Sequence, residues 1–237
     1  MKICRVCNSE ETTLFSIKKT NYIHCRNCGS ICTDENCFET TDNQRLRYEK
    51  HHNSLADDGY RSFLEAFINP VFKAVHENKN ETETLQKIMD YGSGPEPALC
   101  QLLQEYRKNG RYLSESCEIR GWDPFFAPET AFFDDGADLV TCLEVAEHFE
   151  KPLDDMKKLC SSCKSGGYVA VGTMLLSEET GADYGHEYDT FRNWWYRSDA
   201  THVAFYTLKG LVSCAESAGL TFIKAVTDRA FLFRKTV

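Results

Sequence analysis

The 237-residue chain lacks an excess of positive charge: 27 Lys and Arg stand against 36 Asp and Glu, a formal net charge of −9. A protein that grips nucleic acid electrostatically needs the opposite balance. No apolar run approaches the roughly 20 residues of a membrane span. Met1-Lys2-Ile3-Cys4 opens without the apolar stretch of a signal peptide. No membrane role is expected, and the expected location is cytoplasmic. Internal repeats and low-complexity tracts are also missing. What remains is ordinary for a folded protein: 42% hydrophobic residues allow a sizeable core, and 12% aromatics argue against disorder. The length suits one ordinary domain plus a small one.

Cysteine is the exception to this plainness. There are twelve, and six fall in the first 37 residues, at 4, 7, 25, 28, 32 and 37. Without a secretory signal they are expected to be reduced, so metal chemistry is favoured over disulfides. Cys4-Arg-Val-Cys7 and Cys25-Arg-Asn-Cys28-Gly29 are two CxxC turns separated by 17 residues. Each turn points two thiolates at one point, and two turns make a tetrahedral four-thiolate site that suits zinc. Thr13 to Ile17 and Tyr22 to His24 read as strands around a Lys18-Lys19-Thr20-Asn21 turn, so residues 1–45 are expected to form a zinc ribbon. A ribbon this small has little core, and the metal supplies its folding energy. Cys32 and Cys37 read as packing or loop thiols. Residues 1–50 hold eight Lys and Arg and seven Asp and Glu, which leaves the rest at −10 and no basic stripe for a phosphate backbone.

A helical connector is expected over 46–84. Asp57-Asp58-Gly59 opens a run in which Tyr60, Phe63, Leu64, Phe67, Ile68, Val71, Phe72 and Val75 recur at helical spacing, with a kink at Pro70 and a loop at Asn78-Lys79-Asn80. Residues 85–237 read as α/β. Strands are expected at Leu85 to Tyr91, Cys117 to Trp122, Ala137 to Leu143 and Gly167 to Gly172. Helices run from Ala98 to about Asn109 and around Leu153 to Cys160. This alternation predicts a parallel doubly wound sheet, with the ligand at the carboxyl ends of the strands. Gly92, Gly94, Asp123 and Glu144 fall at such ends. A phosphate loop would need GK[S/T], which is absent. A dinucleotide turn would need a third glycine where Pro97 stands, and its acidic residue about 20 residues on, whereas Asp123 is 29 past Gly94. S-adenosylmethionine has no phosphate, needs a close backbone approach to its amino-acid end, and needs an acidic acceptor for its ribose.

Asp90-x-Gly92-x-Gly94, Asp123, Asp138-Leu-Val-Thr-Cys-Leu-Glu144-Val-Ala-Glu147-His148 and Lys164-Ser-Gly166-Gly167 occur in that order. Together they resemble the class I S-adenosylmethionine-dependent methyltransferases over roughly residues 85–235, with Leu220 to Arg234 as the closing antiparallel hairpin. Glu96 replaces a glycine usual in the first motif. Only 14 positions separate Asp123 from Ala137, so strand three of this Rossmann-like sheet is expected to be short or missing. The residue that holds adenine after it is therefore unassigned. A narrower resemblance, carried by Tyr48, His51, Asn53, Asp58-Gly59-Tyr60, Asp123-Pro-Phe-Phe, Trp195-Tyr196, Asp199, His202, Phe205 and Tyr206, is to bacterial methyltransferase-domain proteins with an N-terminal zinc ribbon. The resemblance implies cofactor contacts from Tyr60, Asp90, Tyr91, Gly92, Ser93, Gly94, Asp123, Pro124, Phe125, Leu143, Glu144 and Val145.

Glu144, Glu147 and His148 follow a strand at i, i+3 and i+4, one face of a helix. With His202 they form a candidate site for a second divalent cation, as in small-RNA 2′-O-methyltransferases and quinone-precursor O-methyltransferases. The bland alternative is that Glu144 touches the cofactor while Glu147 and His148 orient the turn. His202, Tyr206 and His148 are the candidate catalytic residues, with His202 as general base if no cation is held. Phe191, Trp194, Trp195, Tyr196, Phe205 and Tyr206 read either as a substrate pocket or as ordinary packing. Asp183 to Asp189, with Gly181 and Gly185, reads as a mobile lid, and Cys160-x-x-Cys163 as two plain thiols. The expected function is methyl transfer to a small-molecule acceptor, with an oxygen acceptor as one form of it. The alternatives are an RNA methyltransferase that uses the ribbon for grip, and a non-catalytic zinc-containing scaffold.

Overall fold

A computed structural model describes residues 2–50, 53–78, 84–176 and 188–236. The chain opens with β1 (Thr12–Ile17) and β2 (Thr20–Cys25), an antiparallel hairpin whose turn is tighter than expected: Lys18 at φ +55° leads straight into Lys19. β3 (Ile31–Thr33) pairs with β2. Two helices follow, α1 (Thr41–Tyr48) and α2 (Asp58–Asn78). Asp57 accepts from the Tyr60 amide at 2.7 Å and so caps α2. Leu64, Phe67, Ile68, Val71, Phe72 and Val75 form its buried stripe, and the helix runs through Pro70.

The second sheet has six strands: β4 (Lys87–Tyr91), β5 (Glu118–Trp122), β6 (Ala137–Leu143), β7 (Cys163–Gly172), β9 (Leu220–Ala225) and β10 (Ala230–Lys235). Their order is β5-β4-β6-β7-β10-β9. β4 to β7 are parallel, and β10 runs antiparallel to both neighbours. Helices α3 (Ala98–Lys108) and α4 (Pro152–Ser161) make the crossovers. Between β5 and β6 no helix or strand forms among the described residues; Phe132 and Phe133 instead pack over the sheet end. The sheet is thus α/β and Rossmann-like with strand three missing, as its short spacing demanded. β4 sits where the strand order reverses, the usual place for a ligand crevice.

One connection does not follow from local patterns. β8 (Ala204–Phe205), which precedes α5 (Leu208–Ser217), pairs with β3, Ile31 opposite Phe205 and Cys32 opposite Ala204. The ribbon sheet is therefore four-stranded, and its last strand comes from the α/β part. Val6, Cys28 and Cys32 share one core with Tyr206, Leu211 and Cys214. The Thr207 hydroxyl donates to the Cys28 carbonyl, and Lys209 Nζ to the Asn27 carbonyl. α2 likewise shares its core with β4, β7 and β10 strand residues. Among the described residues no helix is long and apolar enough to cross a membrane.

Candidate functional site

The carboxyl ends of β4, β5 and β6 open into a cavity of about 810 Å³. Tyr60, Asp90, Tyr91, Gly92, Ser93, Gly94, Asp123, Pro124, Phe125, Leu143, Glu144 and Val145 all line it. The two glycines do different work. Gly92 (φ +84°) lies against Val145, and a Cβ there would stand 2.4 Å from Val145 Cγ2. At Gly94 (φ +71°) a Cβ would meet nothing within 4 Å, so it would project into open space. Asp123 Oδ1 accepts from the Phe125 and Phe126 amides at 2.8 and 3.1 Å, and Oδ2 from Gly94 N. The carboxylate is held in place and keeps lone pairs for a ligand's hydroxyls. Asp90 accepts from Thr141 Oγ1 at 2.8 Å, and burial pushes its pKa up to about 6. The glycine turn, the open space at Gly94 and the fixed acid fit S-adenosylmethionine.

Across the cavity, Glu147, His148 and His202 bring ligand atoms within 4.8 Å of one another. Their backbone is not the helix expected: Ala146–His148 is a single 3-10 turn. His148 Nδ1 lies 2.9 Å from the Thr201 carbonyl and 3.1 Å from the Tyr48 hydroxyl; His202 Nδ1 lies 2.7 Å from the Tyr196 carbonyl. A carbonyl only accepts, so both imidazoles carry the proton on Nδ1 and the lone pair on Nε2. Burial, then the neighbouring His148, push His202 down to about 4. It stays neutral near pH 7, a good ligand but a weak base.

Glu144 stands outside that trio. It sits at φ +52°, and its Oε2 accepts from the Tyr196 hydroxyl at 3.2 Å. The Thr173 hydroxyl donates to Glu147 Oε2 at 2.9 Å, and the two hydroxyls are 3.2 Å apart. Oε1 of Glu144 and Oε1 of Glu147 are buried with no partner among the described residues. Burial and then the Glu147 charge push Glu144 up to about 8; burial pushes Glu147 up to about 7. Two imidazoles held through Nδ1 and a carboxylate oxygen with no partner among the described residues suit a divalent cation by chemistry. The structure offers three such ligands rather than the four anticipated.

Tyr206, anticipated as catalytic, is not in the cleft. It is fully buried behind it, and its hydroxyl donates to the Ala146 carbonyl at 3.0 Å. Phe191 and Phe205 are also core, packed on Ile17, Tyr22 and Ile31 of the ribbon. Of the six aromatics only Trp195 and Tyr196 line the cavity, Trp195 being 64% exposed. The lid read over 181–189 lies outside the described residues up to 187, as does His51. Sequence reasoning missed the strap made by α1. Gln44 Nε2 donates to Glu150 Oε1 at 2.8 Å, Arg47 pairs with Asp199 at 2.8 Å, and Tyr48 reaches His148. Its polarity was a signal, since α1 has no buried residue and is held on the cleft by these polar bonds and by the Tyr48 ring against Phe125 and His148.

In the ribbon the four thiols of Cys4, Cys7, Cys25 and Cys28 lie within 4.8 Å of one another, with Cys4–Cys28 at 3.8 Å and Cys7–Cys25 at 3.7 Å. A tetrahedron with Zn–S bonds of about 2.3 Å has edges of about 3.8 Å. The Cys28 amide donates to Cys25 Sγ at 3.5 Å. The cluster fits zinc without rearrangement.

The family described as "Methyltransferase domain" matches residues 60–225. Among solved structures, an O-methyltransferase family 2 protein from Planctomyces limnophilus, in complex with apigenin, is 14% identical with a TM-score of 0.50. The match covers 86% of this chain and 64% of that one, so the chain spans just under two thirds of that protein's length. An O-methyltransferase family protein from Burkholderia thailandensis is 15% identical over 82% of this chain and 67% of that one, with a TM-score of 0.45. No curated protein sequence matches.

Proposed function

Because the chain belongs to the methyltransferase-domain family, matched from residue 60 to residue 225, we propose that it transfers the methyl group of S-adenosylmethionine to a hydroxyl of a small-molecule acceptor. One observation carries this reading: a single cavity joins the Gly94 and Asp123 end to the Glu147, His148 and His202 end. S-adenosylmethionine supplies an electrophilic methyl carbon. Asp123 is set to accept from the ribose hydroxyls, and Gly94 leaves space beside the turn. The acceptor oxygen attacks in line, forming the C–O bond as the S–C bond breaks. Its proton passes to the Glu147 carboxylate, which burial raises to about 7, while Nε2 of His148 and of His202 orients the hydroxyl. Trp195 and α1 exclude water from the acceptor end. Glu96, Asp123, Glu150, Asp155 and Asp199 line the cavity against Arg47 and Lys158, an acidic excess that suits a cationic cofactor better than a polyanion such as RNA. Zinc in the four-cysteine cluster belongs to the same proposal, and the O-methyltransferase descriptions of the two solved structures are in keeping with an oxygen acceptor.

A second reading is favoured by the unpartnered Glu147 Oε1: a divalent cation held by Glu147, His148 and His202 would lower the acceptor's pKa and orient it. Calorimetry with S-adenosylmethionine, followed by an acceptor screen that reads S-adenosylhomocysteine, tests the proposal. Failure to bind the cofactor overturns it. Chelation that spares the ribbon metal stops turnover under the second reading and leaves it under the first. Unchanged turnover by His202→Ala defeats both.

A further inference from the structure

We infer that Arg5 is a positioning residue: its guanidinium ties the Cys4–Cys7 metal knuckle to the two chain segments that carry His148 and His202. The ribbon then backs the two segments that wall the acceptor site. This rests on the reading of those histidines as facing the acceptor.

Arg5 lies between two cysteines of one knuckle, so metal bound there fixes its backbone from both sides. Its side chain donates to three carbonyls, one in the ribbon and two beyond it: Nη2 to Thr33 at 2.5 Å, Nη1 to Glu150 and Nη2 to Val203 at 3.4 Å. It also lies over the Phe38 ring, 4.8 Å from its centroid. Glu150 is two residues from His148, and Val203 is next to His202. The backbone continues the link: Thr33 N donates to the Val203 carbonyl at 2.9 Å, and Val203 N to the Glu147 carbonyl at 2.8 Å. Each imidazole is aimed by a carbonyl of the same cover, Thr201 for His148 and Tyr196 for His202.

A planar guanidinium holds several acceptors in a fixed fork, and hydrogen bonds from a charged donor are about twice as strong as neutral ones. A lysine reaches these carbonyls only as a single point charge. Other polar links between ribbon and α/β part start elsewhere: Thr207 and Lys209 join the cysteine turn at 25–28 to the start of α5, and on the hairpin Tyr22 accepts from Arg197 Nη1 at 3.2 Å while His24 Nδ1 lies 3.2 Å from the Tyr188 hydroxyl. Arg5 differs from these links in starting between two metal ligands and reaching both the Glu150 and the Val203 segments, while the cofactor end of the cavity, built on β4 and β5, is untouched by it.

The test uses the full zinc-loaded chain, labelled at histidine, as parent, Arg5→Ala, Arg5→Lys and Lys209→Ala. In Arg5→Ala the zinc content should stay equal to the parent's, and affinity for S-adenosylhomocysteine should stay within about threefold. The Val203 amide should exchange about tenfold faster, and the His148 and His202 Nδ1–H signals should broaden or vanish. Arg5→Lys should fall between, and it carries the test if the alanine variant does not fold. Lys209→Ala should match the parent. Parent-like histidine signals in Arg5→Ala, or an equal loss in Lys209→Ala, overturn the inference. If the parent itself does not bind S-adenosylhomocysteine, the methyltransferase reading fails, and the histidine comparison still decides the role of Arg5.

Discussion

Asp123 Oδ2 accepts from the Gly94 amide at 2.9 Å, joining the end of β5 to the turn after β4. The acid proposed to receive the ribose and the glycine proposed to give the cofactor room are thus a single unit. Asp123→Ala should weaken S-adenosylmethionine binding by about 1–3 kcal/mol, because the turn loses its anchor and the ribose hydroxyls lose their acceptor. Gly94→Val should weaken it further, since the side chain projects into open space and a β-branched residue resists φ +71°. Calorimetry checks both, and parent-like affinity in Gly94→Val would refute the site assignment.

Gly92 should behave differently. Its Cβ position is taken by Val145, 2.4 Å away. Gly92→Ala is expected to lower folding stability by about 1–3 kcal/mol through overpacking and backbone strain. Adding Val145→Ala should recover part of the loss, leaving the share due to φ +84°. Thermal melts of the single and double variants measure this coupling. Simple additivity of the two costs would show that the clash is not what demands glycine there.

The ribbon metal should stabilise more than the ribbon. The cysteine spacing suggests a self-contained module, from which Cys25→Ser would remove 1–45 alone. The shared core of Cys28, Cys32, Tyr206 and Cys214, and the β3–β8 pairing, argue otherwise. Elemental analysis should give about one zinc per parent chain. Cys25→Ser should shift one calorimetric transition downward rather than split it. Two separate transitions would show that the seam is weak.

Much of this was legible in the sequence because the signals are local. Paired CxxC turns specify a four-thiol cluster, and the glycine turn after an apolar strand specifies the crevice. The 14 positions from Asp123 to Ala137 leave no room for a third strand, and none forms. The misreadings concern non-local facts. Ala204–Phe205 is too short to show a strand period, and its partner lies far upstream. Aromatic density around Trp195 could not tell which rings face the cavity, so Tyr206 looked available although its hydroxyl is used by Ala146. Arg5 gave no signal within CxxC because its three acceptors are backbone carbonyls, which leave no trace in side-chain pattern.

Asp90 gives the clearest dependence on pH. It is buried at the end of β4 beside Thr141, and burial raises its pKa from 3.8 to about 6. A carboxyl raised in the folded state contributes stability that is complete below its unfolded value and is lost as pH rises through the folded one. The cost of keeping Asp90 ionised therefore grows between about pH 4 and pH 6 and is constant above pH 7. A shift of this size corresponds to about 3 kcal/mol at most. Asp90→Asn keeps an acceptor for Thr141 and has no charge to bury. It should melt with the parent near pH 4 and above it at pH 8, by several degrees. Under the proposed function the charge would serve the ligand, because Asp90 lines the cavity and S-adenosylmethionine brings a cationic ammonium and sulfonium. Cofactor affinity of the parent should fall as pH drops through about 6, and Asp90→Asn should bind more weakly at pH 8 with that dependence removed. A variant both more stable and equally tight at pH 8 would mean that the buried charge has no part in binding.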